Sequence, residues 1–395
     1  MAVDTLTLIA NPGSASRKYA LYRGDDEVAR LSFELKEGRI VCSGWFGEKH
    51  LPVPIDLYNL TDVAGHVMPI LKEHNLLNDN EATAFIGLRV VAPSSYFLKD
   101  CLLEDGTVDK LRELRARAPL HIDATLQEYE AWHALLPDAR IVGVSDSAFH
   151  ATKPDYAWNY GVRLQDADRF EIKRFGYHGI SVESVVHTLR AAGKLPPRVI
   201  VAHLGSGASI TAVQGGKSMD NTMGYSPLEG LIMSTRVGSI DPTASNVLQS
   251  NLQLSDEQME DYLNSHSGLL GLSEISSAVN ELLTHESNGH HGAHLALETY
   301  IFAIRKAIGS MAAAMGGVDM LIFTGAVGER SPQTRERIIE RLHFLDFFLD
   351  EDTNKHCVDP GDLTLISHIG HSKPMAVVPA NEAREMLRRV QALIG

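Results

Sequence analysis

Cysteine is scarce in this chain: Cys42, Cys101 and Cys357 are the only three in 395 residues, odd in number and far apart. That pattern argues against a disulfide scaffold and a thiolate zinc site, and reads as free thiols in a reducing cytosol. Positive charge is also short. Lys and Arg number 36 against 50 Asp and Glu, a formal net charge of −14, so the footprint of a nucleic-acid binder is missing. Long-range attraction to anionic lipid is missing for the same reason. No apolar run approaches a membrane span, and the opening Met1–Leu6 has neither the basic region nor the apolar core of a secretory signal. A cytoplasmic protein with small-molecule partners is the expectation. Tracts rich in Ser and Gly or in Pro are absent, so composition marks no linker. A Walker A motif is absent too: Gly216-Lys217-Ser218 supplies its last three letters, but Thr211 stands where the first glycine belongs. If phosphate is handled here, another cradle does it.

What is present is ordinary globular composition, 44% hydrophobic and 22% charged, at a length beyond one comfortable core. Two domains are expected. Thr5–Ala10 is a β-branched and apolar run; Asn11-Pro12-Gly13-Ser14 reads as a turn, and Lys18–Tyr22 alternates like a returning strand. The event recurs at Val199–Ala202, His203–Gly207 and Ala208–Val213. Two strand–polar turn–strand units imply an internal duplication, and each turn offers backbone amides to an anion. Arg140–Val144 and Met320–Thr324 read as further buried strands with polar residues beyond their C-terminal ends, where ligands gather in open α/β sheets. Ala293–Met315 and Asn381–Leu393 carry helical periodicity, the second with Met386, Leu387, Val390 and Leu393 on its apolar side. The chain is therefore α/β with mixed sheets. The expected division is 1–149, completed by 384–395, and 150–383 as a nucleotide-binding domain. Thr284–His294, with His285, His290, His291 and His294, reads as an inserted, solvated loop, because Gly and Asn interrupt any metal-ligand spacing.

The most informative stretch is Asp220–Pro242. Its single arginine, Arg236, sits among Gly, Ser, Thr and Pro, too turn-rich for a helix and too polar for a buried strand. Exposed backbone amides around one fixed cation suit a phosphoryl group in transit. This segment closely resembles the signature of the acetate kinase family, within the superfamily of acetate and sugar kinases and actin. Other segments match in family order. Asn11–Lys18 is similar to N-x-G-S-S-S-x-K, Gly87–Val91 to G-H-R-V-V, and Ala118–His121 to A-P-L-H. Ser145–His150 resembles F-D-T-A-F-H, Arg174–Gly179 R-Y-G-F-H-G, His203–Ser209 H-L-G-N-G-A-S, and Phe323–Glu329 F-T-G-G-I-G-E. Asn381-Glu382 fits the closing N/D-E pair.

The resemblance implies a duplicated actin-like, ribonuclease-H-like ATPase fold with a cleft between two domains, a homodimer, and reversible, Mg²⁺-dependent transfer from ATP to a short-chain carboxylate, acetate first. It assigns Arg89 to the substrate carboxylate, Arg236 and His178 to the transferring phosphoryl, and Asp146 to orienting metal-bound water or the arginines. Asn11 and Glu382 would hold Mg²⁺, with Mn²⁺ as an alternative. Val91, Leu120, Tyr177 and Pro227 would wall the acyl pocket. Ser14, Ser16 and Lys18, the turn His203, Leu204, Gly205, Ser206 and Gly207, and Ala278, Val279, Asn280, Ala326, Val327, Gly328, Glu329 and Arg330 would contact ATP or ADP. Chemically this is coherent: a carboxylate is already ionised at neutral pH and needs no strong base, whereas bringing anion to anion needs cations, and planar arginines suit both.

The departures cluster. G-H-R-V-V-H-G-G has become Gly87–Ser94 with both histidines and the Gly pair lost, S-S-D-M-R has become Ser276–Asn280, and G-G-I-G-E-N has become Gly325–Arg330 with an added methyl at Ala326. Ser206 replaces Asn, and Tyr177 replaces Phe with a hydroxyl that is costly unless paired. Three readings follow. ATP binds with Arg330 or Asn280 compensating; or the donor is another phosphate such as pyrophosphate, or the acceptor propionate; or the protein binds nucleotide without turnover. A sugar kinase using Asp146 as base is a rival. The joint survival of Asn11, Arg89, Asp146, His178, Arg236 and Glu382 ranks acyl-phosphate formation first.

Overall fold

The computed structural model describes residues 5–13, 16–36, 38–47, 49–77, 81 and 83–395. Ser14, one of the expected nucleotide contacts, lies outside the described residues. The chain divides into two compact units, Met1–Ala148 with Asn381–Gly395, and Phe149–Ala380.

The first unit carries an eight-stranded mixed sheet: β1 (Leu6–Pro12), β2 (Ser16–Arg23), β3 (Asp26–Lys36), β4 (Arg39–Phe46), β5 (Lys49–Val53), β6 (Thr83–Val90), β7 (Cys101–Leu102) and β8 (Arg140–Ser145), in the order β5-β4-β3-β2-β1-β6-β8-β7. β1 to β5 form an antiparallel meander, while β6 and β8 run parallel to β1. The second unit carries β9 (Arg198–Leu204), β10 (Ala208–Gln214), β11 (Lys217–Asn221), β12 (Met320–Thr324), β13 (Thr364–Leu365) and β14 (Met375–Val377), in the order β11-β10-β9-β12-β14-β13. Again a meander, β9 to β11, is followed by two parallel neighbours, β12 and β14. β3-β2-β1-β6-β8 and β11-β10-β9-β12-β14 are one pattern used twice.

Burial explains which strands are central. Val199–Ala202 and all of β12 are buried on both faces, as strands covered by helices must be. β4 alternates buried and exposed positions because one of its faces meets solvent. The helix His291–Ala314 buries Leu297, Ile301, Ile304, Ile308 and Met311 at helical spacing and packs on β9 and β10. Each such side chain contributes about 1.5–3 kcal/mol relative to exposure. The helix Glu382–Ile394 buries Met386, Leu387 and Val390 against β1, β6 and β8. Among the described residues no helix is long and apolar enough to cross a membrane.

Three local expectations need correction. Asn11 and Pro12 belong to β1, paired with Lys18 and Arg17, so the turn begins only at Gly13. Pro12 is tolerated because it ends the strand. Leu393 is 43% exposed, since the last turn of its helix runs past the sheet. Thr284–His294 is not a loop. It spans the end of the helix Val279–Ser287, a short turn, and the start of His291–Ala314. His290 caps the second helix, its ring nitrogen accepting from the Ala293 amide at 3.1 Å, and His294 pairs with Glu286 at 2.8 Å.

Candidate functional site

In the first unit, β1, β6, β8 and the helix Glu382–Ile394 bring four polar side chains together. Arg89, next to last in β6, donates from Nη2 to Asp146 Oδ2 at 2.8 Å and from Nη1 to Asn11 Oδ1 at 3.2 Å. Asn11 donates from Nδ2 to Glu382 Oε2 at 2.6 Å, across 371 positions of chain. Asp146 is 1% exposed. Burial works against the Arg89 charge, but Asp146 and Glu382 outweigh it and hold the guanidinium above its ordinary pKa. Among the described residues, Arg89 Nε is buried and has no hydrogen-bond partner. One donor of a fixed planar cation is thus left for something else, a costly arrangement unless that something is a ligand.

Two residues that the sequence did not single out fix this group. Arg389 donates from Nε to Asp100 Oδ2 at 2.9 Å and from Nη2 to the Ser145 carbonyl at 2.8 Å, while Asp100 Oδ1 accepts from the Ser145 amide at 2.8 Å. Both backbone groups of the residue before Asp146 are therefore held. An arginine on a helix face that otherwise meets the core was the available signal.

Asn11 and Glu382 supply an amide oxygen and a carboxylate, the hard oxygen set that Mg²⁺ prefers alongside water and phosphate. Their mutual hydrogen bond places them close enough to share one ion, so the residues fit. Lys18 faces Asn11 across the β1–β2 ladder and is exposed. Ser16 holds the Gly13 amide with its carbonyl at 2.8 Å. Val91 is buried just after β6, whereas Leu120, in the first turn of the helix Pro119–Leu135, is 43% exposed.

The second unit holds the remaining groups. His178 has a left-handed backbone, φ 59°, at the start of the helix Gly179–Ala191. Non-glycine residues persist in that region when their surroundings over-determine them. Here His150 and Asn221 both donate to the Tyr177 carbonyl, at 2.9 and 3.2 Å. A carbonyl only accepts, so His150 Nε2 carries the proton and Nδ1 faces Ser218 Oγ at 2.8 Å. His178 Nδ1 meets Ser209 Oγ at 3.0 Å, and the neighbouring His203 meets Ser181 Oγ at 2.8 Å. The two rings lie 4.1 Å apart.

Gly207 links His178 to Arg236. A Cβ at position 207 would stand 3.1 Å from His178 Nε2 and 3.6 Å from Arg236 Nη1, so both groups approach the same bare backbone. Arg236 Nη1 also meets the Pro227 carbonyl at 3.5 Å. Its loop is tied to the turn after β9 by Ser234 N donating to Ser206 O at 3.2 Å. Gly268, at φ +65°, lets the opposite backbone close in: a Cβ there would be 2.8 Å from the Arg236 nitrogen and carbonyl oxygen. The turn itself closes with Gly205 N donating to Gly207 O at 2.9 Å; Leu204 is buried and Ser206 exposed. The Tyr177 hydroxyl donates to the Tyr225 carbonyl at 2.6 Å, so its polar tip is satisfied within the protein.

A cavity of about 610 Å³ is lined by Val279, Asn280, Leu283, Ala326, Val327 and Arg330, among others. Ala278, Gly328 and Glu329 lie outside its wall. Ala278 precedes the helix and donates to Ser276 Oγ at 3.0 Å. Glu329 turns inward, its carboxylate accepting from the Gly325 and Ala380 amides at 2.8 and 3.0 Å. Arg330 reaches Asp359 at 3.2 Å.

The model of the acetokinase family matches residues 6–388. The acetate kinase of Thermoanaerobacter pseudethanolicus is 36% identical over 98% of both chains, and acetate kinase 1 of Neisseria meningitidis is 36% identical over 95% of this chain and 96% of its own. Among solved structures, a propionate kinase from Francisella tularensis superposes with a TM-score of 0.87 at 30% identity, and the acetate kinase of Porphyromonas gingivalis with 0.84 at 31%, each covering 99% of this chain and 100% of its own. With both its sequence and its twice-used strand order accounted for, this chain belongs to the acetokinase family.

Proposed function

We propose that the protein transfers the terminal phosphoryl group of ATP to a short-chain carboxylate, acetate or propionate, and runs the reverse reaction on the acyl phosphate. The observation that carries this is Arg89: a half-buried guanidinium, fixed on two sides by Asp146 and Asn11, with its buried Nε left without a partner among the described residues. Such a fork takes a carboxylate.

In the forward step a carboxylate oxygen attacks the γ-phosphorus, a new oxygen–phosphorus bond forms, and the bond to the β–γ bridging oxygen breaks, leaving ADP. Arg89 neutralises and orients the acceptor. Arg236 and His178 stabilise the charge spread over the transferring group, and the amides of the turns after β1 and β9 receive the remaining phosphate oxygens. Asp146 keeps Arg89 charged and aimed. Asn11 and Glu382 would hold Mg²⁺, which neutralises phosphate charge when bound. Ser209 fixes the His178 ring through Nδ1.

The Val279–Arg330 cavity favours a nucleotide over pyrophosphate. Its volume and its apolar wall of Val279, Leu283, Ala326 and Val327 suit a base, which an inorganic donor lacks. Rates with ATP, GTP and pyrophosphate, read as ADP or phosphate release and as acyl hydroxamate, test the donor; acetate, propionate and sugars test the acceptor. Arg89→Ala and Arg236→Ala should each lower turnover by about 10³-fold or more while leaving the thermal transition close to wild type. Acyl-phosphate formation retained in both variants would sink the proposal.

A further inference from the structure

Beneath the first turn lies a buried polar network that the reaction does not use. Arg17, in β2, is 4% exposed and points to the side of the sheet opposite Lys18. Its Nη1 donates to the carbonyls of Gly13 and Ser16, the residues on either side of the turn, the latter at 3.1 Å. Its Nε stands 3.1 Å from Glu128 Oε1, on the helix Pro119–Leu135, both side chains being about 5% exposed or less. Glu128 is held by two further donors: the Tyr19 hydroxyl at 2.8 Å and Trp132 Nε1 at 2.8 Å. Period two in the strand puts Arg17 and Tyr19 on one face, and i,i+4 spacing on the helix puts Glu128 and Trp132 on the other.

A buried ion pair adds little net stability, because desolvation offsets the attraction, and apolar replacements are often as stable. The pair here has a different consequence. One planar cation bridges the carbonyls of Gly13 and Ser16, which flank a turn proposed above to contact phosphate. The matching family motif N-x-G-S-S-S-x-K leaves position 17 open, so nothing in that signature requires arginine there.

We infer that Arg17, anchored on Glu128, is a positioning residue that fixes the Gly13–Ser16 turn for the phosphoryl donor. The inference rests on that turn being a phosphate contact in the proposed reaction. Loss of the clamp should therefore weaken donor handling and leave the carboxylate alone.

The test compares wild type with Arg17→Leu/Glu128→Leu, Arg17→Leu and Arg17→Lys. The double variant removes both charges and should fold; Arg17→Leu alone strands a buried carboxylate and should melt lower. In the double variant kcat/KM for the donor should fall about tenfold or more, with the KM for the carboxylate within about twofold of wild type. Arg17→Lys keeps the charge but not the fork, and should fall between. Amide exchange of the peptide spanning residues 11–19 should quicken in the double variant. Equal losses against both substrates, or wild-type donor kinetics with unchanged exchange, would overturn the inference. If wild type makes no acyl phosphate from any donor, the functional reading fails, and the exchange measurement alone still decides the clamp: quicker exchange upholds it, unchanged exchange overturns it.

Discussion

In the first sheet the turn after β1 and the residues around it are held by charge. Arg17 rests on Glu128, Arg89 on Asp146, and Arg389 on Asp100. In the second sheet the turn after β9 is held by small residues and hydroxyls: Gly207 beneath His178 and Arg236, Gly268 behind the Arg236 loop, Ser209 and Ser181 on the two histidines. The strand order is the same. The difference teaches that a duplicated scaffold fixes where a turn sits, while the means of stiffening it follows the local chemistry. Charged pairs brace the first turn; bare backbone is used where a histidine and an arginine must come close to one spot.

Among changes that leave Arg89 and Arg236 in place, the largest expected effect comes from the charged half. Asp146→Asn keeps the shape but removes the buried counter-charge of the Arg89 guanidinium, and misaimed Arg89 should cost about 10²-fold in kcat. Single-turnover rates check this, and an unchanged rate would show that Arg89 is held well enough by Asn11 alone. In the glycine half, Gly207→Ala places a methyl 3.1 Å from His178 Nε2. Turnover should fall about tenfold, roughly 1.4 kcal/mol of lost alignment, with the melting temperature nearly unchanged. A variant with wild-type kcat would mean that His178 and Arg236 have slack, and the contrast between halves would weaken.

The smallest effect probes a charge pair in the second sheet. Asp319 accepts from Arg198 Nε at 3.1 Å, Nη2 at 2.6 Å and the Arg198 amide at 2.9 Å, tying the start of β9 to β12. These bonds hold its carboxyl below the ordinary range. Its contribution is therefore complete above about pH 4 and is lost as pH falls through the depressed value. Asp319→Asn should lower stability by about 1 kcal/mol at pH 7, and the gap should narrow in melting curves taken below pH 4. A gap independent of pH would assign the effect to packing.

Much of this was legible in the sequence because it is local. Apolar runs closed by Gly turns gave β1, β2, β9 and β10, and helical spacing gave His291–Ala314. Asn280, Ala326 and Arg330, picked out as departures from the family pattern, all line one cavity. What stayed hidden depends on contacts between distant segments. Arg17 beside Lys18 looks like surface charge until Glu128, 111 positions on, is seen beneath it. His290 was misread because a ring nitrogen capping a helix is outside the usual Ser, Thr, Asp and Asn preference. The Tyr177 hydroxyl reads from the sequence as costly unless paired, and only the fold reveals the Tyr225 carbonyl that takes it.

The bond from Asn11 to Glu382 has a consequence for how the protein is made. Asn11 leaves the ribosome early, and its partner follows 371 residues later, on a helix that also braces β1, β6 and β8. The first sheet must wait, partly uncovered, through synthesis of the whole second unit, a delay of tens of seconds at about 5–20 residues per second. A chain cut short before Glu382 would lack the carboxylate to which Asn11 donates as well as the apolar side chains that cover β1, β6 and β8, so a single omission removes a polar partner and uncovers a core.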